Sequence, residues 1–346
     1  MFENKNKAEI KDLKEFGLIQ HIKSKIENKD KRVLQGIGDD ASIIELKNNL
    51  VLVQSTDTLV ENTHFDLTYS PIQHVGYKSI VANVSDIIAM NIRPDFVHIS
   101  ISFSSKFTLD AIDALYNGML KACNKYKVEI VGGDTTTIAK GLVIGIGITG
   151  IGNKKSVVYR SGVKENDLLC VSGDLGGAYM GLQILEREKR IWAENPSIQP
   201  DFEGKDYILQ RQLQPEARLD MIDLFEEINL KPSAMIDISD GLSSEIIHLS
   251  KANRIGFTIY EEKLPIDQVT YQQALDFNIG PATAALNGGE DYELLFTIDP
   301  KEYEKIKNLM DFSIIGHATG RDERCQMISK GGQSFELEAQ GWNHMD

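Results

Sequence analysis

The sequence predicts a two-domain chain that mixes helices and strands, α+β or α/β. Three observations lead there. The 346 residues are enough for two hydrophobic cores. Strand-length apolar runs alternate with segments of helical period in both halves. A glycine-bearing polar stretch, residues 152–162, reads as a hinge, giving domains at 1–152 and 153–346.

In the first half, residues 9–26 predict a helix, because Leu13, Phe16, Ile19, Ile22 and Ile26 recur near the 3.6-residue period. Strands follow over 41–46 and 50–55, around the turn-prone Lys47-Asn48-Asn49. Residues 75–91 form a mostly apolar helix, expected to be buried rather than half-exposed. A strand over 96–103, a helix over 109–126 and a strand over 128–131 lead to Gly132-Gly133-Asp134. Residues 142–151 alternate glycine with Ile and Val, a strand whose small face suits close sheet or subunit packing. In the second half, strands over 168–171, 234–238, 257–260 and 292–298 alternate with helices over 176–186, 215–228 and 242–251. Residues 190–205, with Pro196 and Pro200 and little periodicity, read as a surface excursion.

A formal charge of −14 argues against nucleic acid or an anionic membrane as the main partner. Cys123, Cys170 and Cys325 are far apart and form no CxxC pair, so buried thiols in a reducing cytoplasm are expected rather than disulfides or structural zinc. No signal-like leader or membrane-length apolar run stands in the sequence.

Aspartates recur in short runs of Gly, Ser and Thr: Gly38-Asp39-Asp40, Ser55-Thr56-Asp57-Thr58, Ser85-Asp86, Gly132-Gly133-Asp134-Thr135 and Asp237-Ile238-Ser239-Asp240-Gly241. Nearly all end an apolar run or sit inside an apolar helix, where an unpaired carboxylate is expensive. Cations make such positions tolerable, and carboxylate oxygens favour Mg²⁺ or a similar hard ion. Singly, Asp39, Asp40 and Asp57 are equally well read as turn or strand-end residues. Asp86, amid Val84, Ile87, Ile88 and Met90, resists that reading.

No GxxxxGK[ST] occurs, and a Rossmann fingerprint is incomplete. Gly173-Asp174-Leu175-Gly176-Gly177 opens a helix after a strand; it is either an anion-binding turn or a plain helix start with Asp174 near the N-cap. His64, Arg160, Glu290 and Asp291 each have a functional and a surface reading.

Taken together, these motifs resemble thiamine-monophosphate kinases, as do Gly36-Ile37-Gly38-Asp39-Asp40-Ala41, His64-Phe65 and Gly288-Gly289-Glu290-Asp291-Tyr292-Glu293-Leu294. The resemblance runs through nearly the whole chain in family order. It implies the two-domain fold of aminoimidazole ribonucleotide synthetase, with an N-terminal domain that dimerises through a β-barrel-like sheet and a C-terminal α/β sandwich. By position it implies that Asp40, Ser55, Thr56, Asp57, Asp86, Asp134, Asp237 and Asp240 hold several Mg²⁺ ions. Tyr116, Gly133, Asp134, Arg160 and Ser239 would contact ATP, and His64, Glu290 and Trp342 would line the thiamine-phosphate pocket. Asn62 stands where relatives usually have glycine.

The implied reaction is ATP-dependent conversion of thiamine monophosphate to thiamine diphosphate in a cytoplasmic homodimer, by direct in-line transfer with Asp57, Asp86 and Asp134 as core catalytic ligands. Two alternatives stand beside it: another ATP-dependent synthetase of the superfamily, and a non-catalytic ATP- and Mg²⁺-binding protein. Selenophosphate synthesis is disfavoured by the lack of a cysteine near the N-terminus, and hydrogenase-maturation chemistry by a tail without cysteine.

Overall fold

The computed structural model describes residues 10–339. Helix α1 (Ile10–Lys23) leads into a six-stranded sheet built from β1 (Val33–Gln35), β2 (Ser42–Glu45), β3 (Leu50–Val60), β4 (Phe96–Phe103), β5 (Glu129–Thr137) and β6 (Leu142–Asn153). Its order is β1-β2-β3-β6-β4-β5, antiparallel except between β4 and β5. Asn48 and Asn49 both take positive φ (60° and 62°), the left-handed pair that a two-residue hairpin needs to join β2 to β3. Along β6 the period-2 pattern is complete: Leu142, Ile144, Ile146 and Ile148 are buried, while Val143, Gly145, Gly147 and Thr149 face outward.

The apolar face of this sheet is covered by α2 (Ile72–Ala89), which packs on α3 (Leu109–Tyr126). The two helices cross closely enough to require glycine. A Cβ on Gly118 would lie 1.8 Å from the Gln73 carbonyl oxygen, and one on Gly76 would lie 2.1 Å from that of Leu115. As expected from composition, α2 is buried along most of its length.

The second sheet contains β7 (Leu168–Ser172), β8 (Ala234–Ile238), β9 (Ile255–Tyr260), β10 (Glu293–Ile298), β11 (Phe312–Arg321), β12 (Gln326–Ile328) and β13 (Ser334–Glu336). Its order is β13-β12-β9-β11-β7-β10-β8, with only the β9–β12 pair parallel. Between its strands run α4 (Gly177–Glu194), α5 (Asp206–Leu213), α6 (Leu219–Glu227), α7 (Leu242–Asn253), α8 (Gln268–Asp276), α9 (Pro281–Asn287) and α10 (Tyr303–Ile306). Leu169, Val171, Ile236 and Leu295 pack with Leu242 and Ile246 of α7, whereas Cys170, Met235, Leu294 and Phe296 join Met221 and Phe225 of α6. That second cluster is continuous with the core of the first domain.

The two-domain α+β arrangement is therefore present, with four differences from expectation. The first sheet is open within one chain, with β1 and β5 at its edges, so no barrel closes there. The sandwich of the second domain is almost wholly antiparallel, because its strands return by hairpins and helices on both faces rather than by right-handed parallel crossovers. Residues 154–162 are a packed strap: Val157 and Val158 are buried, Val158 N–H donates to Met90 O, and Tyr159 O accepts from Met235 N–H. The excursion also starts later than expected, since α4 continues to Glu194. No described helix is long and apolar enough to cross a membrane.

Gly118→Ala is expected to lower the unfolding free energy by about 1–3 kcal/mol through overpacking against α2. Gly331→Ala, which meets only Ser329 Oγ at 3.8 Å, is expected to stay within about 0.5 kcal/mol. Urea unfolding of both variants measures the difference.

Candidate active site

Four segments deliver carboxylates to one point at the junction of the domains. Asp86 projects from the C-terminal half of α2, and Asp40 follows the left-handed Gly38 (φ 118°) just before β2. Asp237 lies near the end of β8. Carboxylate oxygens of Asp40, Asp86 and Asp237 lie within 4.8 Å of one another. Strand alternation puts Ser55 and Asp57 of β3 on the inward face beside them. Ser55 Oγ is 2.6 Å from Asp86 Oδ2, and Ser85 Oγ donates to Asp237 Oδ2 at 2.7 Å across the domain boundary.

Burial and mutual repulsion push the pKa values of Asp86, Asp237 and Asp39 upward. Burial, then the charges of Asp57 and Asp237, push Asp86 well above the ordinary carboxylate range. Burial, then Asp40, push Asp237 up to about 8 despite its bond from Ser85. Asp39 is pushed to about 7 by burial and by Asp40, against the pull of Arg160. Arg160 answers part of the charge: its Nη2 lies 2.5 Å from Asp40 Oδ1, and its backbone N–H points at the Asp39 carboxylate. Asp40 Oδ2 remains buried with no hydrogen-bond partner among the described residues. An all-oxygen, carboxylate-rich set with an orphaned buried oxygen fits a hard divalent cation such as Mg²⁺.

A second group lies beside it. The backbone N–H of Glu290 donates to Ser239 O, and that of Tyr292 donates to Ile238 O. These bonds tie the Gly288–Tyr292 loop to the Asp237–Gly241 turn. Glu290 and Tyr292 both have positive φ (66° and 53°), strained for such residues. Between them, Asp291 is buried and accepts from the N–H groups of Gly176 and Ala178 at the start of α4. The glycine-rich turn before α4 thus already binds an anion, but it is this internal carboxylate rather than a ligand. Asp174 is not the cap; it accepts from Tyr207 Oη. Glu290 itself is held by Lys78 Nζ (2.6 Å) and Gln212 Nε2 (2.8 Å). His64 Nδ1 accepts from Val60 N–H at 3.0 Å, and Asn62 supplies φ 65°, a left-handed turn that asparagine tolerates nearly as glycine does.

Other candidates lie apart from these groups. Thr56 faces outward from β3, its hydroxyl donating to Ile146 O. Gly133 and Asp134 lie on the exposed edge strand β5, separated from β3 by β4 and β6. Asp134 aligns across Ser100 and Gly145 with Thr58, three strand spacings or about 14 Å away. Tyr116 is half-buried on α3, packed against the core. Trp342 lies outside the described residues. Sequence reasoning missed Lys78, Ser85, Gln212 and Glu245. Buried Glu245 accepts from the N–H of Asp240 and is pushed well above its ordinary range by burial and Asp240. Lys78 carried the same signal as Asp86: a charge inside an apolar helix.

Comparison with known proteins adds the following. A family model described as AIR synthase related protein, N-terminal domain, matches residues 38–152. Thiamine-monophosphate kinase of Aquifex aeolicus is 35% identical over 335 residues, covering 97% of this chain and 99% of that protein. That of Bacillus subtilis is 32% identical over 314 residues, covering 89% and 93%. The solved structure of AaThiL complexed with AMPPCP and TMP is similar at a TM-score of 0.84 and 31% identity, covering 98% and 99% of the two chains. Hydrogenase maturation protein HypE in complex with ATP shares the fold at 14% identity and a TM-score of 0.67, covering 92% of each chain.

The raised carboxylates give a signed pH effect. Without a cation, the folded chain keeps protons on Asp86 and Asp237 that the unfolded chain releases near pH 4, so stability falls as pH rises from about 5 towards 9. A bound divalent cation would displace those protons, so the slope is expected to flatten in Mg²⁺. Melting curves at several pH values, in chelator and in Mg²⁺, measure both slopes; parallel profiles count against a cation at these residues.

Proposed function

As the chain belongs to the thiamine-monophosphate kinase family, we infer that it transfers the γ-phosphoryl group of ATP to thiamine monophosphate, giving thiamine diphosphate and ADP. The observation that carries this reading is the carboxylate set of Asp40, Asp86 and Asp237, buried or half-buried at the domain junction, with Glu290 held by Lys78 nearby. A phosphate oxygen of the acceptor attacks the γ-phosphorus in line, and the bond to the β-phosphate oxygen breaks. The acceptor's second phosphate pKa is about 6, so its oxygen is largely ionised at neutral pH and no strong base is required. This agrees with a site rich in carboxylates and poor in histidine.

The obstacle is repulsion between two anions. Bound Mg²⁺ would supply charge neutralisation on both phosphates. Asp40, Ser55, Asp57, Asp86 and Asp237 would hold such ions, with Asp240 at a further one. Arg160 and Ser239 would face the nucleotide, and His64 and Glu290 the acceptor. The first domain, residues 1–152, would carry most of the cation ligands, and residues 153–346 would complete the nucleotide and acceptor sites.

Asp134 asks for a second copy. It stands across the sheet from Thr58, on the face opposite Asp57, and on an edge strand whose residues are nearly all exposed, Val131 at 50% among them. The outward face beside it carries His98, Ser100, Gly145 and Gly147. We propose that two chains join at this edge and face as a homodimer, and that Gly133 and Asp134 of each serve the partner's nucleotide and cations.

Incubation with thiamine monophosphate, ATP and Mg²⁺ is expected to yield thiamine diphosphate; ADP release on a ribonucleotide substrate alone would move the assignment to the synthetase branch. Asp86→Asn is expected to reduce turnover by about a thousandfold or more. The same variant should melt higher than the parent in chelator, because a repelled carboxylate has gone; lower melting counts against repulsion at that position. Mixing Asp86→Asn with Asp134→Asn chains is expected to restore activity in mixed dimers, where one site has both aspartates. Failure to complement would place Asp134 in the site of its own chain.

A further inference from the structure

The Lys78–Glu290 pair is unusual in its placement. Lys78 lies on α2, its side chain 6% exposed, and reaches across the domain boundary to a carboxylate whose side chain is 30% exposed. Gln212 Nε2 donates to the same Glu290 oxygen, an orientation fixed because a carboxylate accepts only. The other end of that amide, Oε1, is buried with no partner among the described residues, although Gln212 as a whole is 6% exposed. This cluster therefore holds one desolvated cation, one partly open anion and an acceptor lacking a donor among the described residues.

A buried ion pair costs desolvation that its own attraction repays incompletely, and it contributes little to stability by itself. Such a pair is suited to exchange. A ligand carrying one positive and one negative charge can replace each member's partner without leaving a buried charge alone. The acceptor assigned above is such a molecule, with a cationic thiazolium ring and an anionic phosphate.

Resting on that kinase reading, we propose that the substrate exchanges with this ion pair: the thiazolium takes the Glu290 carboxylate, and the Lys78 ammonium passes to the substrate phosphate. Lysine suits the second role, being a compact charge on a flexible four-carbon stem. The helix supplies the direction. Lys78 precedes Asp86 by eight residues, about 12 Å along α2, so a phosphate drawn to Lys78 comes to rest between it and the carboxylate set. Lys78 thereby becomes the residue that distinguishes the phosphorylated acceptor from thiamine itself, which has the cation but no phosphate.

Calorimetry with thiamine monophosphate and thiamine on Lys78→Met tests this. Thiamine monophosphate is expected to bind at least about tenfold more weakly, the loss of one charge-assisted contact. Thiamine should bind as well as before or better, because Glu290 no longer has a competing partner. Equal weakening of both ligands would show that Lys78 only holds Glu290 in place, and no change in either would also overturn the proposal. If Lys78→Met does not fold, Glu290→Gln is compared with Glu290→Gln plus Lys78→Met, where no carboxylate is stranded. The added substitution is expected to cost a further tenfold or so in affinity for thiamine monophosphate, and equal affinities overturn the proposal. Turnover of thiamine monophosphate by the unsubstituted chain tests the kinase reading separately.

Discussion

Repulsion among carboxylates confined where two sheets meet is the constraint around which this molecule is arranged. Asp40, Asp86 and Asp237 come from three segments far apart in sequence, yet their oxygens gather within 4.8 Å. Hydrophobic burial supplies the force that brings them together. Helix α2 buries Ile80, Val84, Ile87 and Ile88 and carries Asp86 along with them. Arg160 and the hydroxyls of Ser55 and Ser85 relieve part of the repulsion, while Asp40 Oδ2 stays without a hydrogen-bond partner among the described residues. Stability is thus given up at the place where charge is wanted, the usual exchange between a site and its scaffold.

The Glu290 loop shows the same exchange in backbone terms. Two non-glycine residues in left-handed conformation cost about 1–3 kcal/mol each. Glu290 and Tyr292 hold that conformation because Asp291 between them is fixed by the first amides of α4 and by Arg211, and because both flanking N–H groups bond to the β8 end. The strain holds Glu290 where Lys78 and Gln212 meet it. A relaxed loop would not place it there.

Much of this was legible in the sequence. Composition identified α2 as a buried helix, the 3.6-residue period located α1, and the Asn48-Asn49 pair located the first hairpin. Asp86 was recognisable as anomalous because local burial is readable from neighbours. What escaped needs knowledge of direction. Ser55, Thr56 and Asp57 read as one motif, but pleating sends Thr56 to the opposite face. Asp134 has the same local signature as Asp57, and only strand order shows that two strands separate them. Gln212 and Ser85 act through partners 78 and 152 residues away, which no local pattern encodes. Lys78 could have been found: the argument applied to Asp86 holds equally for an ammonium.

One feature of the fold limits how this molecule can move. The core that begins between the first sheet and α2 continues without a break through Val157 and Val158 to α6 and Phe296 of the second. Rotating the halves apart would uncover that apolar interior to water, so the halves form a single lever with no fulcrum. Admission and release of substrates must then proceed by rearrangement of side chains and loops at the rim, leaving the body of the molecule still while the pocket empties and refills.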